Sequence, residues 1–387
     1  MRVLVSCSVG GAGHLNPLRP FIDSLVQEGD EVLLIVPPSL EEHAAALGCP
    51  FRIGGEPGGE EVAHIREAIA TAPRALAAVY SERELFGRLC TTAMLPEMQA
   101  AFSAWRPGLV LRETCEYASA VLAMRQGVPH AQVAISQGEI EAAALETAAP
   151  ALEAHERGLV EQIRSSPYLT RFPASLDPVI YPDTRRFAEP VRSPGAGLPN
   201  WWDGDSRPLV YLTFGGVTGS LPIAAEVYDT ALEAVRGLGL RVLLTLGNAF
   251  APSQLGPVPP NVHLETWVPQ DEVFREARLV VSHGGSGTSL GAVSAGLPQV
   301  VVPLFADQFA NGRRIAEAGA GLCVEPTVAK GDERARLQPR DAPRLAAGIS
   351  SVLDDPSYAA ASARIAKEIC TQVSLRRVLT GLCATPR

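Results

Sequence analysis

Short apolar runs alternate along the whole chain with longer stretches whose apolar residues recur every three or four positions, and glycine or proline marks most junctions. The first run, residues 2–7, passes through a glycine-rich turn into a helical stretch ending near Glu28. Residues 31–36 form a second run, stopped by Pro37-Pro38, and residues 109–112 and 133–135 read as further strands. Between Gly54 and Glu97 the pattern is helical but irregular, with a glycine-rich loop over residues 54–61, and residues 138–167 are alanine- and glutamate-rich and amphipathic. The second half repeats the design: strands at 209–214, 241–246, 262–264, 279–281 and 300–302, and helices at 223–236, 273–277, 341–353 and 357–370. Strand, turn, helix and strand in succession is the unit of a parallel sheet, so the predicted class is α/β with doubly wound sheets.

A chain of 387 residues exceeds what one core usually supports, which predicts two domains. Residues 189–208 are rich in proline, glycine and polar residues and suit a connection between them. The expected division is 1–192, a linker 193–208, 209–370, and a C-terminal segment 371–387 crossing back to the first domain. Trp201 and Trp202 in that linker are expected to dock on a domain face. A diffuse net charge of −9 disfavours nucleic acid or an anionic membrane as partner. No uninterrupted apolar stretch approaches a membrane span, and the first strand begins at once, so neither a signal peptide nor an anchor is expected. Seven dispersed cysteines without paired spacing fit reduced thiols in the cytoplasm.

The chemistry concentrates at two glycine turns. Residues 278–311, RLVVSHGGSGTSLGAVSAGLPQVVVPLFADQFAN, place Gly284-Gly285-Ser286-Gly287-Thr288 between a strand and a helix. The first N–H groups of a helix lack internal partners and sit at its positive end, so this turn favours an anion, and a diphosphate suits it. His283 stands at the end of the strand. Trp267-Val268-Pro269-Gln270 upstream can stack on and edge-read a flat base, and Asp307-Gln308 with Asn311 downstream can hold sugar hydroxyls. The turn after residues 209–214 carries Gly216, which allows close backbone approach, and Thr218, a hydroxyl donor or simply a turn residue. In the first half, Gly11-x-Gly13-x-x-Asn16 departs from the dinucleotide fingerprint, and Pro37-Pro38 stands where its acid would be, which disfavours NAD. The two lysines, Lys330 and Lys367, offer no convincing site for pyridoxal phosphate. His14, in the strand-to-helix turn, has the proton affinity suited to a general base. Glu113, in Arg112-Glu113-Thr114-Cys115-Glu116, is the candidate carboxylate partner, with a helix N-terminal acid as the alternative.

The order W-V-P-Q, H-G-G-x-G-T, G-L-P, P-L-F-A-D-Q and N closely resembles the donor signature of glycosyltransferase family 1, inverting nucleotide-sugar enzymes of the GT-B fold. It is most similar to the bacterial members that glycosylate antibiotics. The resemblance implies two Rossmann-like domains facing one cleft, the first binding the acceptor and the second the donor. By the same resemblance, G-x-G-H-x-x-P makes His14 the catalytic base, although the family's usual aspartate is absent where Glu113 stands. Gly216, Thr218, Trp267, Val268, Gln270, His283, Gly285, Ser286, Gly287, Thr288, Asp307 and Gln308 become donor-binding residues. Gly13, Asn16, Ser136 and Gln137 border a largely apolar acceptor pocket. The implied reaction moves a sugar, by setting a deoxysugar from thymidine diphosphate, onto a small hydrophobic natural product. The nucleotide sugar is a co-substrate, with no cofactor and no metal, and a homodimer is compatible with the reading. A nucleotide-sugar epimerase of the same fold and a non-catalytic partner protein remain as alternatives.

Overall fold

A computed structural model of the chain describes residues 1–9, 11–189, 195, 197–327 and 336–383. Its strands in chain order are β1 (Arg2–Ser6), β2 (Glu31–Val36), β3 (Phe51–Ile53), β4 (Leu109–Glu113), β5 (His130–Val133), β6 (Tyr168–Thr170), β7 (Thr184–Ala188), β8 (Leu209–Thr213), β9 (Arg241–Thr245), β10 (Val262–Glu265), β11 (Leu279–Ser282), β12 (Gln299–Val301), β13 (Gly321–Cys323) and β14 (Val373–Ser374). They form two compact units, Met1–Pro190 with Gln372–Arg387, and Val191–Thr371.

The first unit holds a parallel sheet in the order β14-β7-β6-β5-β4-β1-β2-β3, and the second a parallel sheet in the order β10-β9-β8-β11-β12-β13. β4, β8 and β11 are buried along their full length, as near-continuous apolar runs must be when helices cover both faces of a sheet. Alternate residues feed opposite faces: Val3 and Val5 enter one core with Phe21 and Leu25, and Leu4 enters the other with Phe102 and Val121. The second unit does the same with Leu209 and Tyr211 against Val210 and Leu212. In each sheet the winding direction reverses at one place, between β1 and β4 in the first and between β8 and β11 in the second. Ligands of open α/β sheets bind outside the strand ends at such a switch point.

Several elements differ from the sequence reading. The strand expected at 133–135 is His130–Val133, because pairing with β4 fixes its register and the next helix begins at Gly138. The stretch to Glu28 is three pieces, Ala12–Leu15, a tighter turn Asn16–Leu18 and Arg19–Gln27, since Pro17 and Pro20 each remove a helical donor. β3, β6, β7 and β13 are too short or too polar to read from pattern. The irregular region contains a π-helix, Val79–Cys90, continued by the helix Thr91–Trp105. Trp201 and Trp202 pack on the second unit's core, with Trp201 stacked on His263 at 4.5 Å.

Candidate active site

At the first switch point, β1 leads through the turn into the short helix bearing His14, and β4 ends on Glu113. His14 Nδ1 lies 3.3 Å from Glu113 Oε1. Glu113 is fully buried, and its two oxygens accept the Ser8 N–H at 3.0 Å and the Cys115 N–H at 2.7 Å. Two backbone donors therefore hold the carboxylate in place beneath the imidazole. Phe86, from the π-helix, stacks on His14 with ring centroids 5.5 Å apart. Burial works against a charged imidazole, but the Glu113, Glu82 and Glu141 carboxylates outweigh it and raise the His14 pKa above the usual histidine value.

The second switch point is built from backbone. His283 follows β11, and its ring is wedged between two glycines. A Cβ at Gly215, where φ is +71°, would come within 2.8 Å of the ring, and one at Gly285 within 2.6 Å. Burial pushes the His283 pKa down to about 4, with Asp307 and the Thr213 backbone acting in the opposite sense, so the ring is neutral at neutral pH. The helix Ser286–Ser294 begins without a side-chain cap, leaving its first N–H groups for another acceptor. Asn311 Nδ2 ties this turn to the next loop, donating to the Gly284 carbonyl at 2.8 Å, to Ser286 Oγ at 3.1 Å and to Asp307 Oδ2 at 3.0 Å, while Ser286 Oγ donates to Asp307 Oδ2 at 2.7 Å.

Residues 229–384 match the model of the erythromycin biosynthesis protein CIII-like C-terminal domain. An elloramycin glycosyltransferase of Streptomyces olivaceus is 30% identical over 399 residues, spanning 95% of this chain and 93% of that one. The L-demethylnoviosyl transferase of Streptomyces niveus is 29% identical over 400 residues, spanning 100% of this chain and 99% of that one. The chain belongs to the bacterial natural-product glycosyltransferases. Among solved structures, a spinosyn rhamnosyltransferase superposes with a TM-score of 0.80 at 23% identity over 99% of this chain and all of that one, which gives the GT-B fold. The protein is a nucleotide-sugar-dependent glycosyltransferase, with His14 at one switch point and His283 at the other.

Other residues of the glycosyltransferase signature take less expected places. Trp267 is 68% exposed, an open ring face at the surface, whereas the neighbouring Val268 side chain is core. Gln270 Nε2 donates to Tyr211 and to Thr288 Oγ1, both at 3.2 Å, so these side chains bind each other. Thr218 is fully buried and its hydroxyl donates to the Phe214 carbonyl at 2.6 Å. In this arrangement the hydroxyl serves its own turn. Gly216 faces open space, and the glycine demanded by sterics is Gly215, missed because the two are adjacent. Gln308 accepts the Leu304 and Phe305 N–H groups and so shapes the loop that carries Asp307. Gly287, Gly13 and Asn16 are exposed. Ser136 and Gln137 are buried, and Glu141 Oε1 accepts the Ile135 and Ser136 N–H groups, both at 2.7 Å, within the turn that carries them. Glu82, Phe86 and Glu141 escaped the sequence reading, since nothing local marks a residue whose partner is distant in the chain.

Proposed function

We propose that the enzyme transfers a sugar from a nucleoside diphosphate donor to a small hydrophobic acceptor with inversion, His14 acting as general base. The observation that carries this reading is the His14–Glu113 contact at a switch point. Glu113 fixes the tautomer with the proton on Nδ1 and steadies the imidazolium that forms. Nε2 takes the acceptor hydroxyl proton as the acceptor oxygen bonds to the anomeric carbon. The bond from that carbon to the phosphate oxygen breaks, its electron pair leaving with the diphosphate. The uncapped start of Ser286–Ser294 and neutral His283 would receive that growing charge, stabilising the transition state more than the ground state. Trp267 would stack on the base, and Asp307 and Gln308 would orient the sugar.

Thymidine diphosphate is the proposed donor nucleotide, because the spinosyn rhamnosyltransferase has been solved with it, as well as with its aglycone. Metal is not required in this scheme, since amides and a helix terminus do the work of a cation at the leaving group. The test is a thermal-shift panel followed by turnover: thymidine diphosphate stabilises the protein by mass action, and His14→Ala keeps that shift while losing transfer in EDTA. Unchanged transfer in His14→Ala overturns the reading.

A further inference from the structure

Around His14 the charged groups are mostly carboxylates. Glu113, Glu116 and Glu141 are buried, and Glu82 Oε2 is buried without a hydrogen-bond partner. Arg112 is set among them, but its Nη1 is directed at the Glu113, Thr114 and Glu116 carbonyls. A cation placed here would offset the charge of these carboxylates.

Ligands for one are present. His14, Glu113 and Cys115 each offer a donor atom, all within 4.8 Å of one another, and they form the one such group among the described residues. In a tetrahedral site with metal–nitrogen and metal–oxygen bonds of about 2.0–2.2 Å and metal–sulfur near 2.3 Å, donors lie roughly 3.3–3.8 Å apart. The 3.3 Å between His14 Nδ1 and Glu113 Oε1 already fits. That nitrogen is buried and faces the Glu113 carboxylate across this distance. The bond from the Cys115 N–H to Glu113 Oε2 holds two of the ligands together, and His14 is only partly buried, which leaves an approach for the ion.

We propose that His14, Glu113 and Cys115 form an inhibitory site for a thiophilic divalent cation of the zinc class. The carboxylate and a thiolate neutralise the dication, neutral imidazole is the third ligand, and the thiol proton leaves to solvent on binding. Three protein ligands leave a fourth position for water. A cation shared by His14 and Glu113 removes the pair from proton transfer, so the metal acts as an inhibitor and not as a cofactor. This effect on turnover rests on the proposed role of His14; the site itself does not.

The test uses Co2+ as a spectroscopic probe on the purified, reduced full-length protein. The wild type is expected to develop a thiolate-to-cobalt charge-transfer band that Zn2+ abolishes by displacement. Cys115→Ser, folded by circular dichroism, loses the band, and Glu113→Gln weakens Co2+ binding by at least about tenfold, the lower end of what losing even a supporting group costs. The thermal shift produced by thymidine diphosphate stays the same with and without Zn2+, which separates this site from the donor loop. Absence of the band in wild type, or a band unchanged in Cys115→Ser, overturns the proposal. Failure of thymidine diphosphate to stabilise the protein strikes the donor reading and leaves the cobalt result to stand by itself.

Discussion

His14 and His283 occupy the same topological address in their two units, beyond the carboxyl end of a strand at a sheet's reversal point, yet their proton affinities diverge. His14 faces a carboxylate fixed by two backbone amides and is pushed to hold its proton more tightly. His283 is enclosed by glycine backbone and burial drives its pKa down to about 4. Position in the fold brings an imidazole to the edge of a ligand crevice, and the neighbours then decide its chemistry. One is suited to accept a proton from a hydroxyl, the other to stay neutral beside an anion.

The comparison breaks most readily at His14. His14→Ala is expected to lower kcat by roughly 10²–10⁴-fold, the usual contribution of a general base, with donor affinity intact. The same change at His283 should show the reverse balance, weakening nucleotide binding in a titration. Gly215→Ala comes next. A side chain at φ +71°, 2.8 Å from the His283 ring, is expected to cost about 1–3 kcal/mol in urea unfolding, and thymidine diphosphate affinity should fall with it. Adjacent residues give a finer contrast. Trp267→Ala should lose roughly 1–3 kcal/mol of nucleotide binding at unchanged stability, because its ring is exposed, whereas Val268→Ala should lose stability at nearly unchanged binding. The smallest effect is on pH. The base must be neutral to act, so kcat/KM rises as pH passes the His14 pKa, and this acid limb lies above the ordinary histidine value. Glu113→Gln removes the largest raising influence and moves the limb to lower pH, while His283 contributes no step above about pH 5.

How much of this was legible follows from how local each feature is. The glycine turn at 284–288 reads directly because its demands are backbone ones: Gly284 sits at φ +85° with Val301 Cγ1 and the Gln308 carbonyl where a side chain would go. Glu113 was readable only as an acid just past the strand at 109–112, where the resembling family carries its aspartate, and its place at the end of a strand beside β1 comes from the fold. Direction of a side chain was not readable, as Thr218 and Val268 show, for a turn hydroxyl can serve its own backbone and a valine beside an exposed tryptophan can still face inward. Contacts across long stretches of chain were invisible for another reason. Phe86 meets His14 only because the π-helix and the sheet pack together, and no periodicity in either segment announces it.

The chain enters the second unit near Val191 and leaves it near Thr371, after which β14 joins the first unit's sheet edge and the helix Leu375–Cys383 buries Leu375, Val378, Leu379 and Leu382 with Phe21 and Leu25. A chimera joined at a single point would therefore give the first half a foreign tail whose apolar stripe must match a surface it never evolved with. Exchanging the second unit on this scaffold calls for two junctions, replacing an internal cassette and keeping the native tail.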